Sequence, residues 1–243
     1  MEMRYSSPRP LRLHVLLLLA ISAIFVIFML TMEAYAQSRW YAGYYYAGYE
    51  TYAPWGVGGR IITVDTSLPS SGSAVAWHVT VVLSYRYGYW IQLGYEESNN
   101  YPFFHYHSNP LYYWECVSTL GKYVHQNLQT GPAAGSWHIY QIYYAQSSQY
   151  PKRWVLRIDF GSYQRTCDVE PYAPKDLHAL VEVVGSSRII IDGGHFKDLS
   201  RYAGRSWLLW DRHVAYWDPP YQVIPVFRND CLYNCEFMVS GGG

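Results

Sequence analysis

Two polar residues lie inside strand-like runs that are otherwise apolar or aromatic. Gln92 sits in Tyr89-Trp90-Ile91-Gln92-Leu93-Gly94-Tyr95, and Glu182 sits in Ala179-Leu180-Val181-Glu182-Val183-Val184. A carboxylate in such surroundings loses hydration and needs a partner or a raised pKa. A glutamate tuned in this way can act as general base on a water and then return the proton to a leaving amine. A glutamine NH2 can donate to the oxyanion of a tetrahedral intermediate while its C=O holds the water. Together they could hydrolyse a peptide bond with no covalent intermediate and no metal. The structural alternative is a Gln that satisfies neighbouring backbone and a Glu that pairs with Arg or Tyr.

The elements that carry these residues read as strands. At period two, Trp90, Gln92 and Gly94 share one face, opposite Tyr89, Ile91 and Leu93; Leu180, Glu182 and Val184 share another, opposite Ala179, Val181 and Val183. Helical periodicity is scarce after the first 36 residues, whereas alternating and β-branched runs recur. The expected strands are Gly59 to Asp65, Val75 to Ser84, Tyr89 to Gly94, Phe103 to His107, Trp137 to Tyr144, Arg153 to Phe160, Ala179 to Val184, Arg188 to Asp192 and Val223 to Phe227. Turn signals such as Gly131-Pro132 separate them. Ser38 to Trp55, with its Tyr-Ala-Gly-Tyr repeats, reads as an edge strand or lead-in, and Asp192 to Asp198 as a turn. The fold class is therefore all-β, a two-sheet antiparallel β-sandwich or jelly roll of one domain over residues 37–243, with the tail 211–243 the least defined part.

Residues 1–36 are set apart. Arg4, Arg9 and Arg12 precede a largely apolar stretch from Leu13 to Met32 and the small-x-small sequence Ala34-Tyr35-Ala36. That order predicts a signal peptide or, given its length, a signal anchor, so the protein is expected to be secreted or on the cell surface. Any membrane contact is expected through this segment alone. Without it the chain holds 15 basic and 16 acidic residues and no basic run, which argues against a nucleic-acid partner.

Cys116, Cys167, Cys231 and Cys235 are an even set in an oxidising compartment and predict two disulfides, for which three connectivities exist. Cys231 with Cys235 and Cys116 with Cys167 is the expected pairing, because the first two are close in a turn-rich tail. His105 and His107 alternate on one expected strand, but nothing fixes a third ligand, so neither a metal nor a cofactor is expected. No Gly-x-Ser-x-Gly elbow exists for serine chemistry. The 27 tyrosines and 10 tryptophans are sheet filler or the lining of a binding groove.

The order of segments resembles the glutamic peptidases of the eqolisin type. Trp40-Tyr41-Ala42-Gly43 is similar to the family's early Trp-x-Gly element, Ile62-Thr63-Val64 through Pro69-Ser70 to the strand that follows, and Val75-Ala76-Trp77-His78-Val79 to its next Trp-Val strand. Trp90 to Tyr95 then resembles the strand bearing the catalytic glutamine, and Ala179 to Glu182 the strand bearing the catalytic glutamate. The resemblance runs from about Trp40 to Trp210. It implies a concanavalin-like β-sandwich, a Gln92/Glu182 dyad, acid endopeptidase activity and a polypeptide substrate, with Trp77, Trp90 and Tyr95 as groove walls. One departure is that Phe103 to His107, with no acid, stands where the family carries Tyr-Glu-Trp-Tyr-Pro. Concanavalin-like glucanases carry a Glu-x-Asp-x-Glu strand, and none is present. The competing expectation is a non-catalytic surface protein that binds glycan or a protein partner in the same aromatic groove.

Overall fold

A computed structural model of the chain describes residues 39–46, 54–69, 72–99, 107–117, 123–145, 153–168, 174–185 and 188–242. The expected leader over residues 1–36 and most of the run from Phe103 to His107 lie outside the described residues. Two antiparallel sheets carry nearly all the regular structure. The first has the strand order β13 (Val214–Trp217), β1 (Arg39–Tyr46), β10 (Asp176–Val184), β3 (Ser73–Ser84), β4 (Tyr89–Asn99), β5 (His107–Val117) and β6 (Tyr123–Asn127). The second has the order β14 (Tyr221–Pro225), β15 (Phe237–Gly241), β11 (Gly194–Tyr202), β2 (Gly56–Ile62), β7 (Trp137–Ala145), β8 (Arg153–Ile158) and β9 (Tyr163–Cys167), with β12 (Trp207–Leu209) paired to β11.

Alternation assigns each strand's faces. Val75, Trp77, Val79 and Val81 of β3, Ile91, Leu93 and Tyr95 of β4, and Ala179, Val181 and Val183 of β10 are buried between the sheets. Tyr140, Ile142, Trp154, Leu156, Phe196 and Phe237 meet them from the second sheet. Much of the tyrosine is core material. The Tyr95 hydroxyl, for example, donates to Ile62 O and accepts from Val64 N–H, each at 2.9 Å, so its polar end is satisfied inside the sandwich. The Cys116–Cys167 disulfide ties β5 of the first sheet to β9 of the second, and Cys231–Cys235 closes the tail turn. The expected pairing is the one observed, and it fits an oxidising compartment.

Two local expectations change. Arg188 to Asp192 forms no strand; its backbone bends through a turn at Asp192-Gly193, where Gly193 adopts φ 84°, although Ile189 and Ile191 are buried. Gly194 to Asp198 is not turn but the start of β11, paired on both sides by β2 and β15. Its polar residues misled because the strand has one wet face: Phe196 fills the core while His195 and Lys197 alternate outward. The tail joins the sandwich, with β13 on the edge of the first sheet and β14 and β15 in the second.

Candidate active site

The outer face of the first sheet curls into a groove with a cavity volume of about 590 Å³. Its lining includes Arg39 and Tyr41 of β1, Glu182 and His178 of β10, His78 and Thr80 of β3, Trp90 and Gln92 of β4, Tyr113 and Glu115 of β5 and Tyr123 of β6. Gln92 and Glu182 thus open into one space.

They are not lateral neighbours. Gln92 pairs with Thr80 and Thr80 with His178, whereas Glu182 pairs with Ala76 and Ala76 with Glu96. The two residues lie two strands apart and four residues out of step, which in a flat sheet is about 16 Å between Cα atoms. Twist and coiling shorten one diagonal of a sheet. Glu96 and His125 span the same diagonal, two strands and four residues, and their side chains meet at 3.2 Å between Oε1 and Nε2. Arg39 on β1 likewise comes within electrostatic reach of Tyr123 on β6, five strands across. The curl gathers this diagonal into the groove.

Glu182 is nearly buried, its side chain 13% exposed. Arg39 Nη1 donates to its Oε1 at 2.6 Å, and the Tyr41 hydroxyl donates to the same oxygen at 3.4 Å. Burial pushes the carboxyl pKa up, Arg39 opposes this, and the charge on Glu115 raises it further. Tyr41 is driven to about 12, first by burial and then by the charge of Glu182, so it remains a donor. On the other wall, Gln92 Oε1 accepts from the Tyr113 hydroxyl at 3.5 Å, which leaves the amide NH2 as its donor end. Glu115 stands directly across from Gln92 in the β4–β5 ladder.

Two imidazoles on this face are kept neutral. His78, whose Nδ1 lies 2.7 Å from Thr80 Oγ1, falls to about 3 by burial and by the proximity of His178. His178 falls to about 4 by burial, opposed by Asp176. Tyr85 bridges Asp176 and His178 at one end of the groove, donating to the Asp176 carboxylate and lying 3.4 Å from His178 Nε2. A raised carboxyl, an amide donor and neutral rings form a setting able to move a proton onto and off a bound water.

The sequence-derived site residues divide by face. Gln92, Glu182 and Trp90 line the groove. Trp77 and Tyr95 do not: both are fully buried between the sheets, where their rings stack at 6.1 Å and Trp77 also meets Phe196. Period two already placed Tyr95 opposite Gln92, and Trp77 has the same parity as core residues Val75 and Val79. Arg39, Tyr41 and Glu115 were missed. Glu115 lies on β5, directly across from Gln92, in a strand that the expected set reached only at its first residue, His107. Arg39 and Tyr41 are recruited by pairing over a sequence separation of more than 140 residues, which no local pattern shows. Among the described residues, Asp230, Cys231 and Cys235 have ligand-like spacing, but both sulfurs are consumed by their disulfide.

No family model and no curated protein matches the sequence. Solved structures do. A scytalido-glutamic peptidase bound to a peptide-based transition state analogue superposes with a TM-score of 0.53 at 11% identity, over 85% of this chain and 100% of that one. A second structure of scytalido-glutamic peptidase, with a transition state analogue inhibitor, gives 0.52 at 11% identity over the same shares. At this identity the likeness establishes the fold, the two-sheet antiparallel sandwich of the glutamic peptidases.

Proposed function

We propose that the chain is an exported acid endopeptidase of glutamic-peptidase type, with Glu182 and Gln92 as its catalytic pair. The single observation that carries this reading is that the carboxyl and the amide line one groove through the curl of the sheet, on a fold shared with glutamic peptidases. In the proposed reaction the Glu182 carboxylate takes a proton from a water, whose oxygen attacks the peptide carbonyl carbon. The Gln92 NH2 donates to the oxyanion that forms. The proton on Glu182 then passes to the amide nitrogen as the C–N bond breaks, regenerating the carboxylate. The raised pKa of Glu182 suits both halves, since an acid that ionises too readily would be a poor proton donor in the second step.

The test is hydrolysis of an unfolded protein at acidic pH by the chain and by Glu182→Gln. The reading expects cleavage that disappears in the variant; cleavage retained at full rate removes it. One observation favours a second reading, a groove that binds a polypeptide or glycan without cleaving it. Glu182 is already engaged by Arg39 at 2.6 Å, as a structural carboxylate would be. Binding unaltered by Glu182→Ala, together with no hydrolysis, would select that reading.

A further inference from the structure

Beneath the groove wall that carries Gln92 lies a cluster the proposed reaction does not use. His125 of β6 is 9% exposed, Glu96 of β4 is fully buried, and Glu115 of β5 is 10% exposed. His125 Nε2 lies 3.2 Å from Glu96 Oε1 and 3.0 Å from Asn127 Oδ1, while its Nδ1 lies 4.0 Å from Glu115 Oε2. The ring stacks on Tyr113 at 5.4 Å, and Tyr113 in turn reaches Gln92. An imidazole between two carboxylates in so dry a place is held as a cation, for two buried anions side by side without one are costly.

We infer that His125 is a positioning residue: it fixes Glu115 across from Gln92 and, through that carboxylate, sets the charge felt by Glu182. The groups that face His125 are Glu96, Glu115, Tyr113 and Asn127, with Tyr123 bonded to the same Glu115, and those that face Glu182 are Arg39, Tyr41, Glu115 and Tyr113. Glu115 and Tyr113 are common to both sets, and of the two Glu115 is the carboxylate. Burial works against the charged imidazole, and the contact with Glu96 at 3.2 Å together with the nearby charge of Glu115 outweighs it, raising His125 to about 10. The link has a signature that packing alone does not. Glu115→Gln removes a negative charge near Glu182, so the Glu182 midpoint falls; His125→Gln removes a positive charge, so it rises.

The kinetic side of this inference rests on the peptidase reading, but the charge linkage does not. The experiment is carboxyl-13C NMR titration of glutamate-labelled chain, with Glu182 assigned by Glu182→Gln, in the parent, Glu115→Gln and His125→Gln. The result expected is a shift of the Glu182 midpoint on the order of half a pH unit, in opposite directions in the two variants. No shift, or the same direction in both, overturns the inference. Should His125→Gln fail to fold, the imidazole titration decides: its midpoint must fall in Glu115→Gln, and an unchanged midpoint overturns the proposal. If the parent cleaves peptides, the acid limb of kcat/KM follows the same opposite shifts. A parent that cleaves nothing defeats the peptidase reading and leaves the titrations to decide His125.

Discussion

Arg39, the first residue of β1, donates to Glu182 on the neighbouring strand β10 at 2.6 Å, so an ion pair in the groove joins two residues separated by 143 positions. The pair holds two opposing influences on one carboxyl: burial that favours the proton and a guanidinium that favours its loss.

Removing the guanidinium exposes that balance. Arg39→Met takes away a cation that lowers the Glu182 pKa, so the pKa rises. If Glu182 must be ionised to accept a proton, the acid limb of the kcat/KM profile moves to higher pH in the variant. A limb that stays in place or moves down would show that Glu182 is not the titrating base.

Gln92→Ala removes the amide donor without touching the core, because Gln92 faces the groove. Loss of one oxyanion donor costs roughly 10²–10³ in kcat. The expected outcome is a loss of that size in single-turnover hydrolysis with the thermal midpoint of unfolding nearly unchanged. Tyr113→Phe, which frees the amide oxygen from its 3.5 Å contact, should lower the rate less.

The two tryptophans first grouped as groove walls should separate cleanly. Trp77→Ala empties a fully buried site between the sheets and should cost about 3–5 kcal/mol in denaturant unfolding. Trp90→Ala alters the groove wall instead and should raise KM with little change in stability. Equal stability losses would contradict the face assignment.

Glu97 makes the fold favour acid. It is 1% exposed, and burial raises its pKa from the ordinary 4.5 to about 8 against two backbone contacts from Thr66 N–H at 2.9 and 3.0 Å. A carboxyl with a raised folded-state pKa contributes stability that is full below about 4.5 and is lost as pH rises toward about 8. Denaturant titrations should show stability falling across that window, and Glu97→Gln should flatten the fall. An unchanged slope in the variant would assign the pH dependence elsewhere.

The two disulfides should differ in weight. Cys116–Cys167 closes a separation of 51 residues and links the sheets, so its removal by paired alanines should cost about 4 kcal/mol by loop-closure entropy. Cys231–Cys235 closes a separation of 4 and should cost about 2 kcal/mol. Chemical denaturation of the two double variants measures both.

Strand sequences with a two-residue period were legible because burial alternates with them. Tyr89 to Gly94 and Val75 to Ser84 were found, and Gln92 and Glu182 were assigned to the face opposite their apolar neighbours. β5 was touched only at its first residue, His107, and β6, β9, β12, β13 and β15 were not found. The last five are short, three to five residues each, and several lie at or near a sheet edge where one side needs no apolar run. β11 hid behind its polar outer face.

By itself the sequence determined that the chain is all-β, which of its residues face the same way, that its four cysteines form two bonds, and that a carboxylate and an amide lie within otherwise apolar strands. Alternation and local composition carry that much, because each depends only on residues near one another in the chain. Tertiary structure decided the rest: that Arg39 and Tyr41 engage Glu182, that Trp77 is core and Trp90 is groove, and that Glu115 stands across from Gln92. Strand order and the curl of the sheet are long-range properties, set by how two buried faces pack. That packing is what brings residues two strands and four positions apart into one groove.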